Sequence, residues 1–378
     1  MTGARVPFLD LARQSRALRP ELDRAVARVL ERGWFVLGEE GAAFERAFAA
    51  HLGLSQGVGV NSGTDALMLA LLALGVQPGE GVVVPAHTAV PTICAIVASG
   101  AVPVLADIEP IGFGLDPSDF ERAVVAARRE RRVAAVIPVH LYGAPARMPE
   151  ILAIAERYDL AVVEDASQAH GTRIGPHSVG RFGAIGCFSF YPTKNLGALG
   201  DAGIAVTNDP ELADRLRMLR NYGEESKYRN KMRGVNSRLD ELQAAVLSAK
   251  LPHLDTWVER RRTLAARYDE ALANLDLELP ASDAGLPDAT HSYHLYVVRS
   301  TDREGLRRRL ADRGIDTAVH YPLPVHHQQA YHDLAGDFPE AERAAREVLS
   351  LPLYPELEDA EQDRVIEALR AECGRRRA

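Results

Sequence analysis

The chain has 378 residues, 47% hydrophobic and 25% charged, with a formal net charge of −8. This is long enough for two domains with a substantial core, and the acidic balance argues against nucleic acid or an anionic membrane as a general partner. The three cysteines (Cys94, Cys187 and Cys373) form no CxxC pair, so neither a zinc site nor a disulfide framework is indicated.

The first residues lack the long apolar core of a signal peptide. The longest apolar run, Ala66 to Val76, is broken only by Gly75 and is too short to span a bilayer. A cytoplasmic protein is expected. Of its 44 basic residues only four are lysines: Lys194, Lys227, Lys231 and Lys250. A lysine retained against such a bias invites the question of what arginine could not do in its place.

In chain order, Phe44, Phe48 and Leu52 recur at four-residue spacing and predict a helix that stops at Gly53. Thr64 to Leu74 predicts a buried helix ending at Gly75. Short β-branched runs at 82–84, 102–105, 133–139 and 160–163 predict strands, with helical stretches between them, one opened by Asp116 and Pro117. Strands alternating with helices predict a mostly parallel sheet covered on both faces, whose ligand sits beyond the carboxyl ends of the strands. After a run at 203–207 the chain reads as mainly helical to residue 275. A strand-like run, His291 to Arg299, precedes further helices and a basic tail, Arg375 to Arg377. The expected division is a large domain over 1–250 and a smaller α+β domain over 251–378.

Three segments could carry chemistry. In the first, a buried strand runs into Glu164 and Asp165; the choice is between a strand end followed by a helix cap and an acid at the ligand-binding edge. In the second, an apolar strand from Cys187 ends in a turn carrying Ser189 and Lys194. A lone lysine is usually a solvated charge, but only lysine can form an imine. Pyridoxal phosphate catalysis needs that imine and a carboxylate on the pyridinium nitrogen, for which Asp165 is the natural candidate. The third segment, Val58 to Leu67, is a small-residue turn leading into a helix. Its free backbone N–H groups and the hydroxyls of Ser62 and Thr64 could cradle a phosphate or simply cap the helix. It matches neither a Walker A loop nor GxGxxG.

Together, NSGTDAL (61–67), EDASQAHG (164–171), SFYPTKNLG (189–197) and NSRLDELQAA (236–245) resemble the DegT/DnrJ/EryC1/StrS family of sugar aminotransferases, over nearly the whole chain. The resemblance implies fold type I, the aspartate-aminotransferase-like α/β fold, and a homodimer with shared active sites. It implies pyridoxal 5′-phosphate as cofactor, with Lys194 as Schiff-base lysine and proton shuttle. It also implies Asp165 as partner of the pyridine nitrogen, Gln168 as partner of the ring hydroxyl, Gly63, Thr64 and Ser189 as phosphate contacts, and Asn236 as a contact from the neighbouring subunit. Many members place an aromatic residue on the cofactor ring in the loop after Pro85, where this chain has Ala89. Either His87 covers the ring or a smaller contact suffices.

The segments 219–230 and 319–331 resemble the branch acting on 3-keto sugars. That similarity implies L-glutamate as donor and a nucleotide-linked, TDP-linked 3-keto-6-deoxy sugar as acceptor. His320 and Tyr321 are the candidates for sugar contact, with Tyr222 and Tyr228 lining the site; packing alone is the alternative for each. A 4-keto nucleotide sugar or an inosose is the alternative acceptor. A sugar 3-dehydratase of the same family has histidine in place of the lysine, so Lys194 argues against it. A non-catalytic regulator would not be expected to keep Lys194, Asp165, Gln168 and Ser189 together.

Overall fold

A computed structural model describes residues 5–334 and 336–374; Met1 to Ala4 and the basic tail Arg375–Arg377 lie outside the described residues. The centre is a seven-stranded sheet of β1 (Gln56–Val60), β2 (Gly81–Pro85), β3 (Val102–Ala106), β4 (Val133–Val136), β5 (Ala161–Asp165), β6 (Ile185–Ser189) and β7 (Gly203–Thr207). Its spatial order is β1-β7-β6-β5-β4-β2-β3. The pairs from β6 through β3 are parallel, and β7 runs antiparallel to both its neighbours. The strands are almost continuously apolar because helices cover both faces, leaving no face for water.

The predicted helices form at Glu39–His51 and Gly63–Ala73, and each is followed within two residues by a glycine at positive φ, Gly53 and Gly75. Asp116 caps Pro117–Ala127 by accepting from the Asp119 amide at 2.8 Å. Among the described residues no helix is long and apolar enough to cross a membrane.

A second core brings together Tyr268, Tyr296, Leu310, Leu351 and Val365. It is built from the helices Leu254–Leu272, Arg303–Asp312 and Asp359–Glu372 and the antiparallel pair Tyr296–Arg299 with Val348–Leu351. Val6 is wholly buried in this core and bridges in parallel to Ile315. Val6 therefore packs among residues from the second half of the chain.

Three expectations change. The strand predicted over 133–139 ends at Val136. Of the run 291–299 only the last four residues pair as a strand. His291 Nδ1 accepts from the Tyr293 amide at 2.8 Å, and the Ser292 amide donates to the Gly143 carbonyl at 3.0 Å, so the first part of the run spends its hydrogen bonds on a local turn and on a loop of the large sheet. Between the helices Pro210–Leu219 and Glu241–Lys250 the chain makes a short hairpin, Glu224–Ser226 with Arg229–Asn230. Gly223 opens it at φ 76°, where a Cβ would overlap the Met232 carbonyl.

Candidate active site

Strand alternation separates the two adjacent carboxylates. Val162 packs in the core containing Phe120 and Ile154, whereas Val163 packs in the core containing Leu67 and Val139; by the same alternation Glu164 follows Val162 and Asp165 follows Val163. Glu164 is fully buried and accepts from the amides of Gly180 (2.8 Å), Phe182 (2.6 Å) and Gly183 (2.7 Å). His140 Nδ1 accepts from the Ala146 amide at 3.0 Å, so its proton sits on Nε2 and is donated to Glu164 at 3.0 Å. Glu164 is a structural anchor.

Asp165 reaches a cavity of about 460 Å³ at the carboxyl ends of β5 and β6, within the range of small-molecule sites. The lining includes Gly63, Thr64, Asp165, Gln168, Ser189, Lys194 and Tyr321, residues drawn from four separate parts of the sequence. Asp165 Oδ2 accepts from Thr92 Oγ1 at 2.7 Å and Oδ1 from the Ser167 amide at 3.1 Å. Gln168 Oε1 accepts from the Tyr142 amide at 2.8 Å, and its Nε2 donates to the Tyr321 hydroxyl at 2.9 Å.

Lys194 follows β6 in a tight turn, its amide donating to the Tyr191 carbonyl at 2.8 Å. Burial pushes its ammonium down to about 8, and the Asp165 charge opposes that shift. The imidazoles near it are held neutral by burial first and by the lysine charge second: His170 goes down to about 3, His320 to about 4, and His294 is also lowered.

At the other end of the cavity begins the helix Gly63–Ala73. Ser62 Oγ accepts from the Asp65 amide at 3.1 Å, and the Gly63 and Thr64 amides have no partner within the helix. A Cβ on Gly63 would lie 2.7 Å from the Ser189 Cβ and 3.0 Å from Ser167 Oγ; glycine keeps this corner open. Amide donors, two hydroxyl residues, a fixed carboxylate and an amine of lowered pKa make a donor set that fits pyridoxal phosphate.

The other expected residues lie elsewhere. His320 is half-buried beside the cavity, its Nδ1 on Ser350 Oγ at 2.8 Å and its carbonyl accepting from Tyr142 Oη. Tyr222 and Tyr228 are 46% and 82% exposed, stacked under Arg238 and Lys227 respectively. Asn236 is exposed and bridges to Asn221. Ala89 and Thr88 line the cavity but His87 does not. The His87 Nε2 lies 2.9 Å from Tyr142 Oη; since that hydroxyl already donates to His320, Nε2 carries the proton. His87 stands behind that lining, its ring 6.3 Å from the ring of Tyr321.

Among the polar lining residues, sequence reasoning missed Thr88, Thr92, Ser167, Tyr191 and Asp201. Thr88 and Thr92 stand four residues apart at a helix start beyond a strand end, a spacing that could have flagged them. It also missed Glu241, which accepts from the amides of Gly38, Glu40 and Gly41, each at 2.9 Å, and so caps a distant helix. Ser237 Oγ donates to Asp65 at 2.7 Å, tying the fourth motif to the first.

The model of the DegT/DnrJ/EryC1/StrS aminotransferase family matches residues 16–370. The chain belongs to that family. The aminotransferase is 49% identical over 370 residues to the dTDP-3-amino-3,4,6-trideoxy-alpha-D-glucose transaminase of Streptomyces venezuelae, covering 97% of this chain and 96% of that one. Among solved structures it is similar to S. venezuelae DesV in complex with a ketimine intermediate, at a TM-score of 0.93 and 49% identity over 97% of this chain and 98% of that one. It is also similar to Bacillus subtilis ntda with bound cofactor PMP, at a TM-score of 0.90 and 34% identity over 98% of this chain and 86% of that one. The family is PLP-dependent, and this aminotransferase carries the family's mostly parallel α/β fold.

Proposed function

We propose that this aminotransferase binds pyridoxal 5′-phosphate and moves an amino group from L-glutamate to a TDP-linked 3-keto-6-deoxy sugar. The observation that carries the cofactor reading is the convergence of Lys194, Asp165 and the Gly63 helix start on one cavity. When bound, the cofactor supplies an electron sink for carbanion chemistry. Lys194 holds the cofactor covalently and, once released, moves the proton. Asp165, fixed by Thr92 and Ser167, keeps the pyridine nitrogen protonated. Gly63, Thr64 and Ser189 take the phosphate, and Gln168 takes the ring hydroxyl through its remaining N–H.

The acceptor reading is supported by full-length similarity to a transaminase named for a dTDP-3-amino sugar. Tyr321 faces the cavity and is the first candidate for sugar contact, with His320 behind it. Exposed Asn236, Tyr222 and Tyr228 are assigned to the site of a second copy in a homodimer. We also propose a cytoplasmic location and a division near residue 250 between the cofactor domain and a smaller one, supported by the largely separate second core.

The test is turnover with glutamate against TDP- and UDP-linked 3-keto and 4-keto sugars and an inosose. The TDP-3-keto-6-deoxy sugar should give the highest kcat/KM, and NMR should place the new amine at C3. Amination at C4 overturns the acceptor reading; full activity as a monomer overturns the shared site.

A further inference from the structure

Away from the cavity, two consecutive histidines meet a glutamate of the next helix. His326 and His327 form a short 3-10 turn, and Glu342 lies in the helix Pro339–Glu347. Glu342 Oε1 lies 3.3 Å from His326 Nε2 and 3.7 Å from His327 Nε2, and the three ligand atoms lie within 4.8 Å of one another. As hydrogen bonds these are poor: two imidazoles crowd one oxygen, both beyond the usual N–H···O range of about 2.7–3.2 Å. As metal ligands the first two spacings are apt. With metal–ligand bonds of about 2.0–2.1 Å, neighbouring ligands of a tetrahedral ion sit about 3.3 Å apart.

The surroundings suit an ion as well. Glu342 Oε2 is 3.6 Å from Arg346 Nη1, which orients the carboxylate and leaves Oε1 toward the histidines, as outer partners of metal ligands do. The helix itself is fixed, because Asp107 accepts from the Glu340 and Ala341 amides at 3.0 and 2.8 Å. On the other side, the Val325 amide donates to the Ala86 carbonyl at 2.9 Å, fixing the turn. His326 is buried and His327 half-exposed, so one ligand is held rigidly and the other leaves an entry path.

We propose that His326, His327 and Glu342 bind one divalent transition ion of the zinc class, with a fourth position open to water. Two imidazoles and a carboxylate select such ions over calcium or magnesium, which take mostly oxygen ligands. An ion bound there clamps the segment that presents Tyr321 to the cavity against the helix leading into Val348–Leu351, where Ser350 holds His320.

The holoenzyme, stripped with a chelator and dialysed, is titrated with Co²⁺ and with Zn²⁺. One Co²⁺ per chain should bind with visible d–d absorption of tetrahedral or five-coordinate strength, Zn²⁺ should displace it, and Zn²⁺ should raise the Tm. His327→Ala changes a half-exposed side chain and should fold normally by circular dichroism. It should weaken binding at least as much as loss of an outer-sphere partner does, roughly 10–100-fold, and abolish the Tm rise. Glu342→Gln should act in the same direction, while His332→Ala, an exposed histidine outside the group, should leave binding unchanged. Substoichiometric binding overturns the site, as does binding that His327→Ala leaves intact or that His332→Ala weakens equally.

Discussion

Thr92 Oγ1 donates to Asp165 Oδ2 across 2.7 Å, from the first turn of the helix Val90–Ala98. With the Ser167 amide on the other oxygen, both oxygens of this buried carboxylate have donors. A hydrogen bond to a charged group contributes about 1.5–3 kcal/mol. Thr92→Val keeps the shape and removes the donor, so the glutamate half-reaction should slow roughly tenfold or more while the fold is retained. Single-turnover absorbance changes measure this; a wild-type rate would show that the hydroxyl contributes nothing to Asp165.

Lys194→Arg should fold and lose turnover, because a guanidinium cannot form an imine. Borohydride reduction followed by peptide mass analysis should find the cofactor on the 194 peptide of the wild type and on no peptide of the variant. Transamination by the variant at the wild-type rate would remove Lys194 from its role.

Asp165→Asn keeps the size of the side chain and removes the charge. Bound cofactor should persist, since the phosphate cradle is untouched, while the half-reaction slows by roughly 10²–10³-fold, as loss of a strong preorganised electrostatic contact does. A near-normal rate of conversion with glutamate would show that the pyridine nitrogen does not depend on this carboxylate.

The lysine also sets a pH dependence. Burial disfavours the ammonium and lowers its pKa from 10.5 to about 8, so the neutral amine is present above about pH 8 and lost below it. Only the neutral form has a lone pair to attack an aldehyde. Covalent uptake of pyridoxal phosphate by the apoprotein should therefore rise with pH and reach half its plateau near pH 8. A midpoint near 10.5 would mean that the amine is as well solvated as a surface lysine.

Glu164→Gln tests the neighbouring carboxylate. Glu164 accepts from three amides and from His140, and a glutamine would turn an N–H₂ group toward donors that need an acceptor. The protein should lose about 1–3 kcal/mol of stability, read as a lower urea midpoint with an unchanged slope. Loss of turnover without loss of stability would contradict the structural role.

The sheet was legible because it rests on local signals, whereas Gly63, Gln168, Ser189 and Tyr321 of the lining came from the family resemblance. Apolar strand runs, glycine stops and the Asp116 cap report their own backbone, and Lys194 stands out as one of four lysines. What escaped depends on partners distant in sequence. Glu241 caps a helix some 200 residues upstream, and nothing near Glu241 announces it. His291 to Leu295 leads into a strand, yet its amides bond to the Ser282 carbonyl, to the His291 side chain and to the loop at Tyr142 and Gly143. The partner of His87 is equally distant in sequence: its Nε2 meets the Tyr142 hydroxyl 55 residues on.

The opposed directions of Glu164 and Asp165 make the fifth strand intolerant of frame errors. Deleting one residue just before the pair would turn the glutamate into the cavity and drive the aspartate among Phe120 and Ile154. The loop at 180–183 would lose its anchor in the same event. Chemistry and assembly would thus fail together. Anyone transplanting this site to another scaffold must carry the strand, His140 and the 180–183 loop as one cassette.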